Sequence, residues 1–342
     1  MKVFWDPVQL LHAPRFFLQR GVVRANYEVP ARAVALLEGV QALGLTPQPP
    51  PPADRAALTA VHGAAYLDFL RDGPAEWDAM PDKGPELVPN IHPSPEMLAN
   101  GARIGPTVIG RLGWYTADVS CPIMQDTWRS ALAAAAGAVA AADEAAAGRH
   151  AYALARPPGH HAYAARAGGH CYLNNAAIAA QRLRSQGAAR VAVLDIDSHH
   201  GNGTQGIFWD RPDVLFVSLH GDPNGYYPWY VGHAEERGGG EGAGCNVNLP
   251  LPPGAGDDAW LAALDDGLGA IRRFGADAVV LSLGFDASEH EPLGFLRVTA
   301  DGFARAGAAI AGLGLPTAVV QEGGYDTERL GGLLARVLGA FG

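Results

Sequence analysis

Residues 191–205 read VAVLDIDSHHGNGTQ, an apolar run that ends in two aspartates, two adjacent histidines and a glycine-rich turn. The unbroken stretch Val191, Ala192, Val193, Leu194 has the pattern of a strand buried on both faces, and strands of that kind belong to parallel sheets. A strand that closes on Asp195 and Asp197 needs something to offset two carboxylates withdrawn from water. Side chains alternate in an extended chain, so Asp195, Asp197 and His199 fall on one side and His200 on the other. The grouping points to a metal ion, with three candidate ligands and no choice among them.

Working outward, short β-rich runs recur at 2–5 (KVFW), 152–157 (YALARP), 214–220 (VLFVSLH), 278–285 (AVVLSLGF) and 317–323 (TAVVQEG). Ala- and Leu-rich segments with helical character separate most of them, an alternation that predicts an α/β fold with a parallel sheet covered on both faces. The clearest helix is TWRSALAAAAGAVAAADEAAAG, with Thr127 expected as its N-cap and Gly148 as its stop. PQPPPP at 47–52 is expected to be a stiff connection between two early helices. Residues 71–126, rich in Pro, Gly, Trp and Met, lack clean periodicity and are expected to form a long functional insertion or interface within one domain spanning 1–342.

Hydrophobic residues make up 48% of the 342 and charged ones 18%, enough for a large core. A net charge of −10, from 25 basic and 35 acidic side chains, argues against a nucleic-acid surface and suits a cationic or neutral partner. Cys121, Cys171 and Cys245 are odd in number and far apart, which excludes a disulfide framework and a CxxC metal knuckle and suggests a reducing cytoplasm. Asp6 and Pro7 interrupt any signal-peptide core, and no apolar run is long enough to span a bilayer, so no membrane partner is expected.

In a parallel α/β sheet the ligand site lies beyond the carboxyl ends of the strands. Four strand ends carry reactive side chains: His160 and His161, the 195–200 cluster, Asp286, and Tyr325. Any one of these alone reads as a helix cap or a satisfied polar group; four together do not. Two carboxylates and one imidazole, as in Asp197, His199 and Asp286, suit a divalent cation with a coordination position left for water. Amide hydrolysis then needs a base, an acid for the departing amine and a donor to the developing oxyanion, which the histidine pair and the phenol provide.

The segments RPPGHHA, GGHCYLNNAAIAAQ, DIDSHHGNGTQGIF, SLHGDP, LGFDASEHEPLGF and EGGYD resemble the arginase and histone deacetylase superfamily, and within it the bacterial acetylpolyamine amidohydrolases. AVHGAAYLDFL at 60–70 and GRLGWYTADVSCPIMQDTW at 110–128 extend the likeness over nearly the whole chain. The resemblance implies a three-layer fold around a mostly parallel sheet of about eight strands. It implies Zn2+, or Fe2+, on Asp197, His199 and Asp286, with Asp195 behind them orienting His160. It also implies a structural K+ or Na+ held by Asp195, Ser218 and Leu219 with the backbone of Asp197 and His199. His161 becomes the principal base and acid, held by Asn202; His160 assists electrostatically, and Tyr325 polarises the carbonyl. Gly169, His170, Tyr227 and Leu293 line the substrate tunnel, and the insertion narrows it and helps to form a homodimer.

This chain departs from its relatives at several positions. Gly201 stands where arginases place a second aspartate, which argues for a single metal ion. Asn202 replaces the aspartate of one histone deacetylase class, so His161 is expected to be less basic. His170 stands where many relatives have Phe or Tyr; its imidazole either donates to a polar acyl chain or, the preferred reading, serves as an aromatic wall. Leu293 replaces a glutamate gatekeeper, and Ile109 and Ser120 stand where polyamine enzymes can place glutamates. Asp118, Glu289 and Glu291 are the acidic alternatives near the mouth, or else solvated loop charges. The activity the resemblance implies is removal of acetyl or a related short acyl group from small N-acylated amines, acetylpolyamines first. The alternatives are a deacylase or esterase acting on another small amide or on acetyl-lysine, and a non-catalytic acetyl-amine binding protein.

Overall fold

The computed structural model describes residues 1–342. Ten strands form: β1 (Lys2–Phe4), β2 (Phe16–Gln19), β3 (Val22–Ala25), β4 (Pro47–Gln48), β5 (Ala151–Ala153), β6 (Val191–Asp195), β7 (Val214–Gly221), β8 (Asn246–Leu251), β9 (Ala278–Leu283) and β10 (Thr317–Gln321). Eight of them make one parallel sheet in the order β4-β1-β5-β10-β9-β6-β7-β8, and β2 with β3 makes a separate hairpin. All six runs identified from sequence are strands of the large sheet.

Every residue of β5, β6, β7, β9 and β10 is buried, as strands covered on both faces must be. One face packs against helices Pro30–Ala42, Asp257–Phe274, Ala300–Ala311 and Leu330–Leu338 through Leu36, Trp260, Phe303 and Leu334. The other packs against Thr127–Ala146 and Asn175–Ser185, almost entirely through alanines. Small side chains let the backbone come close: a Cβ at Gly137 would sit 3.6 Å from that of Ala153. The alanine helix starts one residue away from expectation, with Asp126 as N-cap. The Thr127 hydroxyl instead accepts the Met124 amide at 2.8 Å, closing the turn before the helix. Gly148 lies just beyond the last turn at φ 80°, where an L side chain is strained, and ends the helix as expected.

Three elements lacked a sequence signal. β8 (NVNLPL) hides its alternation because two of its buried residues are Asn246 and Asn248, which donate to Gln205 Oε1 at 2.9 Å each. As an edge strand it also tolerates Pro250. β4 comes from the proline run: Pro47 and Gln48 pair with Val3 and Phe4, and the prolines after them have no N–H with which to extend the edge. The hairpin turns on Arg20 and Gly21, both at positive φ, where Arg is an uncommon choice. Of residues 71–126, expected as an insertion, 71–78 finish helix Ala64–Asp78, and Pro95–Ala99 and Val108–Trp114 are short helices. No helix is long and apolar enough to cross a membrane.

Candidate active site

The four strand ends singled out from sequence belong to β5, β10, β9 and β6, which are consecutive neighbours at the centre of the sheet. Their loops therefore converge without help from the periphery. β6 ends at Asp195, and Asp197 and His199 follow in a tight loop held by Asp197 N to Asp195 Oδ1 (3.1 Å) and His199 N to Asp197 Oδ1 (2.9 Å). The three side chains share a side even though the strand has ended. His200 faces away, its ring tilted against that of His220 at 4.6 Å and bonded to Gln205.

Asp197, His199 and Asp286 each offer one atom, and these atoms lie within 4.8 Å of one another. Backbone amides fix both carboxylates: Gly323 N donates to Asp197 Oδ2 at 2.8 Å and Ser198 N to Asp286 Oδ1 at 2.7 Å. Gly323 must be glycine, because a Cβ there would lie 2.5 Å from Asp286 Oδ2 and 2.6 Å from Asp197 Oδ2. Both aspartates are fully buried. Burial opposes a charged imidazole at His199, yet Asp286 and Asp197 raise its pKa to about 9, so the pocket strongly favours positive charge. A donor set of two carboxylates and one imidazole fits a single divalent metal ion.

Asp195 stands one layer back, its Oδ2 2.9 Å from His160 Nδ1. Burial works against charging His160, but Asp197 and Asp195 raise its pKa well above the ordinary value. His161 behaves oppositely. Burial, with His160 and His199 close by, lowers its pKa well below normal, and the ring stays neutral. Its Nδ1 donates to the Asn202 side-chain oxygen at 2.6 Å, an oxygen that only accepts, so Nε2 is left as the proton acceptor. The two histidine rings lie 4.0 Å apart. On the facing loop, burial keeps the Tyr325 phenol well above its ordinary pKa and therefore a donor.

Gly169 and His170 both take positive φ (51° and 70°). A Cβ at Gly169 would strike the His161 ring at 2.4 Å, so glycine alone lets this loop pass that ring. His170 packs edge-on against Phe17 (5.5 Å) and tilts toward Tyr325 (6.1 Å). Tyr227 meets the His161 ring edge-on at 4.9 Å. Leu293 is half-buried, and its carbonyl accepts from Tyr226 Oη at 2.8 Å. Asp195 and Ser218 are register partners, while the Ser218 hydroxyl sits 2.9 Å from His220 Nδ1. Leu219 lies in the same strand.

The three acidic alternatives separate. Glu291 is not a solvated loop charge: it is buried and accepts the Tyr325 amide at 2.9 Å, with burial and Asp286 raising its pKa to about 8. Glu289 is exposed beside His290. Asp118 is not a loose loop charge either, since it accepts from Tyr227 Oη and Gly169 N. Ile109 is exposed on its helix, and the Ser120 amide donates to Asp118.

Several contributors escaped the sequence reading. Tyr226 stacks on His199 at 4.4 Å. Glu322, buried directly after β10, accepts the amides of Gly159 and His160 at 2.6 and 3.0 Å; as a strand-end carboxylate it fitted the rule that found the others. Arg32 donates to the carbonyls of Glu322 and Gly324, each at 2.6 Å, and lies 4.8 Å from the Tyr325 ring centre. It arrives from helix Pro30–Ala42, nearly 300 residues away in sequence, and nothing local announces it.

Fold and site together define an α/β protein with a buried carboxylate and imidazole centre at the carboxyl edge of a parallel sheet. The histone deacetylase domain matches residues 26–341, and the chain belongs to that family. It is 47% identical to the acetylpolyamine amidohydrolase of Burkholderia pseudomallei (strain 1710b), over all of this chain and 99% of that one. It is 40% identical to the acetylpolyamine amidohydrolase of Mycoplana ramosa, over 99% and 98%. A crystal structure of the Burkholderia pseudomallei acetylpolyamine aminohydrolase has a TM-score of 0.95 at 47% identity, covering all of this chain and 98% of that one. Enzymes of this family hydrolyse amide bonds with a bound metal.

Proposed function

We propose that this chain is a metal-dependent amidohydrolase that removes acetyl groups from small N-acetylated amines, acetylpolyamines foremost. The observation that carries the reading is the meeting of Asp197, His199 and Asp286 within 4.8 Å, beside a neutral His161 whose ring centre lies 6.0 Å from that of His199. Full-length likeness to two acetylpolyamine amidohydrolases supports the substrate class.

Asp197, His199 and Asp286 would hold one zinc ion, or ferrous iron, which supplies Lewis acidity to the substrate carbonyl and to water. His161 Nε2 takes the proton from the attacking water and returns it to the amine as the C–N bond breaks. His160, kept charged by Asp195 and Asp197, supports the negative charge that builds at the carbonyl. Tyr325 donates a hydrogen bond to that developing oxyanion. Gly201 supports the single-ion reading, because a Cβ there would lie 2.3 Å from Asp195 Oδ2 and leaves no room for another carboxylate. Asp195 and Ser218, with the carbonyls of Asp197, His199 and Leu219, are the candidate holders of a structural potassium or sodium ion.

The insertion exposes Ile91, Met97, Leu98, Ile104 and Ile109, and these support pairing of two copies through that segment. A kinetic panel tests the activity: acetylated polyamines, acetyl-lysine peptides and longer acyl amides, with metal content measured. Acetylated polyamines should lead in kcat/KM; acetyl-lysine peptides leading instead would replace the substrate assignment.

A further inference from the structure

We infer that Asp118 recognises the cationic, non-acylated part of the substrate, an inference that rests on the amidohydrolase reading above. Its Oδ2 accepts from Tyr227 Oη at 2.6 Å and from Gly169 N at 3.1 Å, and its Oδ1 accepts from Ser120 N at 2.7 Å. Every one of these donors is neutral: a phenol and two backbone amides. A half-buried carboxylate satisfied this way is solvated by the protein but not neutralised by it, and its charge remains available to a ligand. Burial and Asp118 itself raise the Tyr227 pKa, so the phenol stays a donor and does not compete as an anion.

The position of this charge gives it a function. Tyr227 lies edge-on to His161 at 4.9 Å and 6.1 Å from His199, so the carboxylate it holds is one side chain away from the reacting centre. Gly169, its second partner, passes directly over His161. His170, next in the chain to Gly169, does lack a hydrogen-bond partner: its Nε2 is buried without one, and burial lowers that imidazole to about 4, leaving it neutral. A flexible chain bearing positive charge offsets the uncompensated carboxylate, whereas a neutral alkyl chain does not.

The test compares wild-type and Asp118→Asn protein, metal-loaded, on an N-acetylated diamine with a free distal ammonium and on an N-acetylated alkylamine of equal length. The measured quantity is the ratio of kcat/KM for the charged over the neutral substrate. The variant is expected to lower that ratio about tenfold or more, chiefly through KM, and to flatten its salt dependence. An unchanged ratio, whether both substrates lose rate equally or neither does, overturns the inference and leaves Asp118 as a strut of the wall. Calorimetric binding of the unacetylated diamine to both proteins gives a second reading that needs no turnover. Equal affinities there overturn the role of Asp118, while failure of wild-type protein to hydrolyse either acetyl compound counts against the proposed reaction instead.

Discussion

The hydrogen bond from His161 Nδ1 to the side-chain oxygen of Asn202, 2.6 Å long, joins the candidate base to a partner without charge. His160, 4.0 Å away, is held by the carboxylate of Asp195. Two adjacent histidines thus carry opposite tendencies, one raised toward the imidazolium and the other lowered toward the free base. Neighbouring groups pushed apart in this way assume different roles at one pH.

Replacing Asn202 with Asp adds a negative charge at the same position and stabilises the protonated form of His161. Its pKa rises, so the acidic limb of the kcat/KM pH profile moves to higher pH by about one unit. A profile that stays in place, or moves to lower pH, would remove His161 as the base.

Tyr325→Phe deletes the hydroxyl proposed as a donor to the developing oxyanion and leaves the ring in its place beside Arg32. The expected loss is about a hundred- to a thousandfold in kcat, with little change in thermal stability. Steady-state kinetics with a melting curve checks both halves of the statement.

Gly201→Ala places a methyl group 2.3 Å from Asp195 Oδ2 and 3.4 Å from His160 Nδ1. Neither neighbour can move without breaking their shared bond, so the variant should lose about 1–3 kcal/mol in denaturant unfolding along with most of its activity. Wild-type stability and activity in this variant would show that the Asp195 to His160 bond is not needed as drawn.

Stability should fall in acid through Glu28 and His12. Glu28 is fully buried, 2.8 Å from Arg32 and 2.9 Å from Arg156; burial alone would raise its pKa, but the two guanidinium groups bring it down to about 2. A depressed carboxyl contributes stability above its unfolded value and loses it as pH falls through the folded one, about 3 kcal/mol here between pH 4.5 and 2. Burial lowers His12 to about 3, so the unfolded chain takes up that proton first and stability starts to fall below about pH 6.5. Urea titrations from pH 7 to 2 measure the slope, and a flat profile would contradict this account.

Much of this site was legible because parallel strands end where ligands bind: His160, His161, Asp195, Asp197, His199, Asp286 and Tyr325 all follow apolar runs that cannot be mistaken. β8 and the hairpin were not legible, one because its buried face is polar, the other because its turn uses Arg20. Glu291 reads as an acid near the mouth, yet folding carries it inward to the Tyr325 amide. Arg32 and Tyr226 act through contacts that only the folded chain creates.

The central claim is that Asp197, His199 and Asp286 hold one divalent metal ion on which deacetylation depends. Metal content and acetate release from an acetylated diamine, measured on the same samples of wild-type protein and Asp286→Ala, test it most directly. The account predicts one equivalent of metal and steady acetate release in the wild type, with both lost together in the variant. A wild-type protein with its metal bound that releases no acetate, or a variant that keeps full activity, would contradict it.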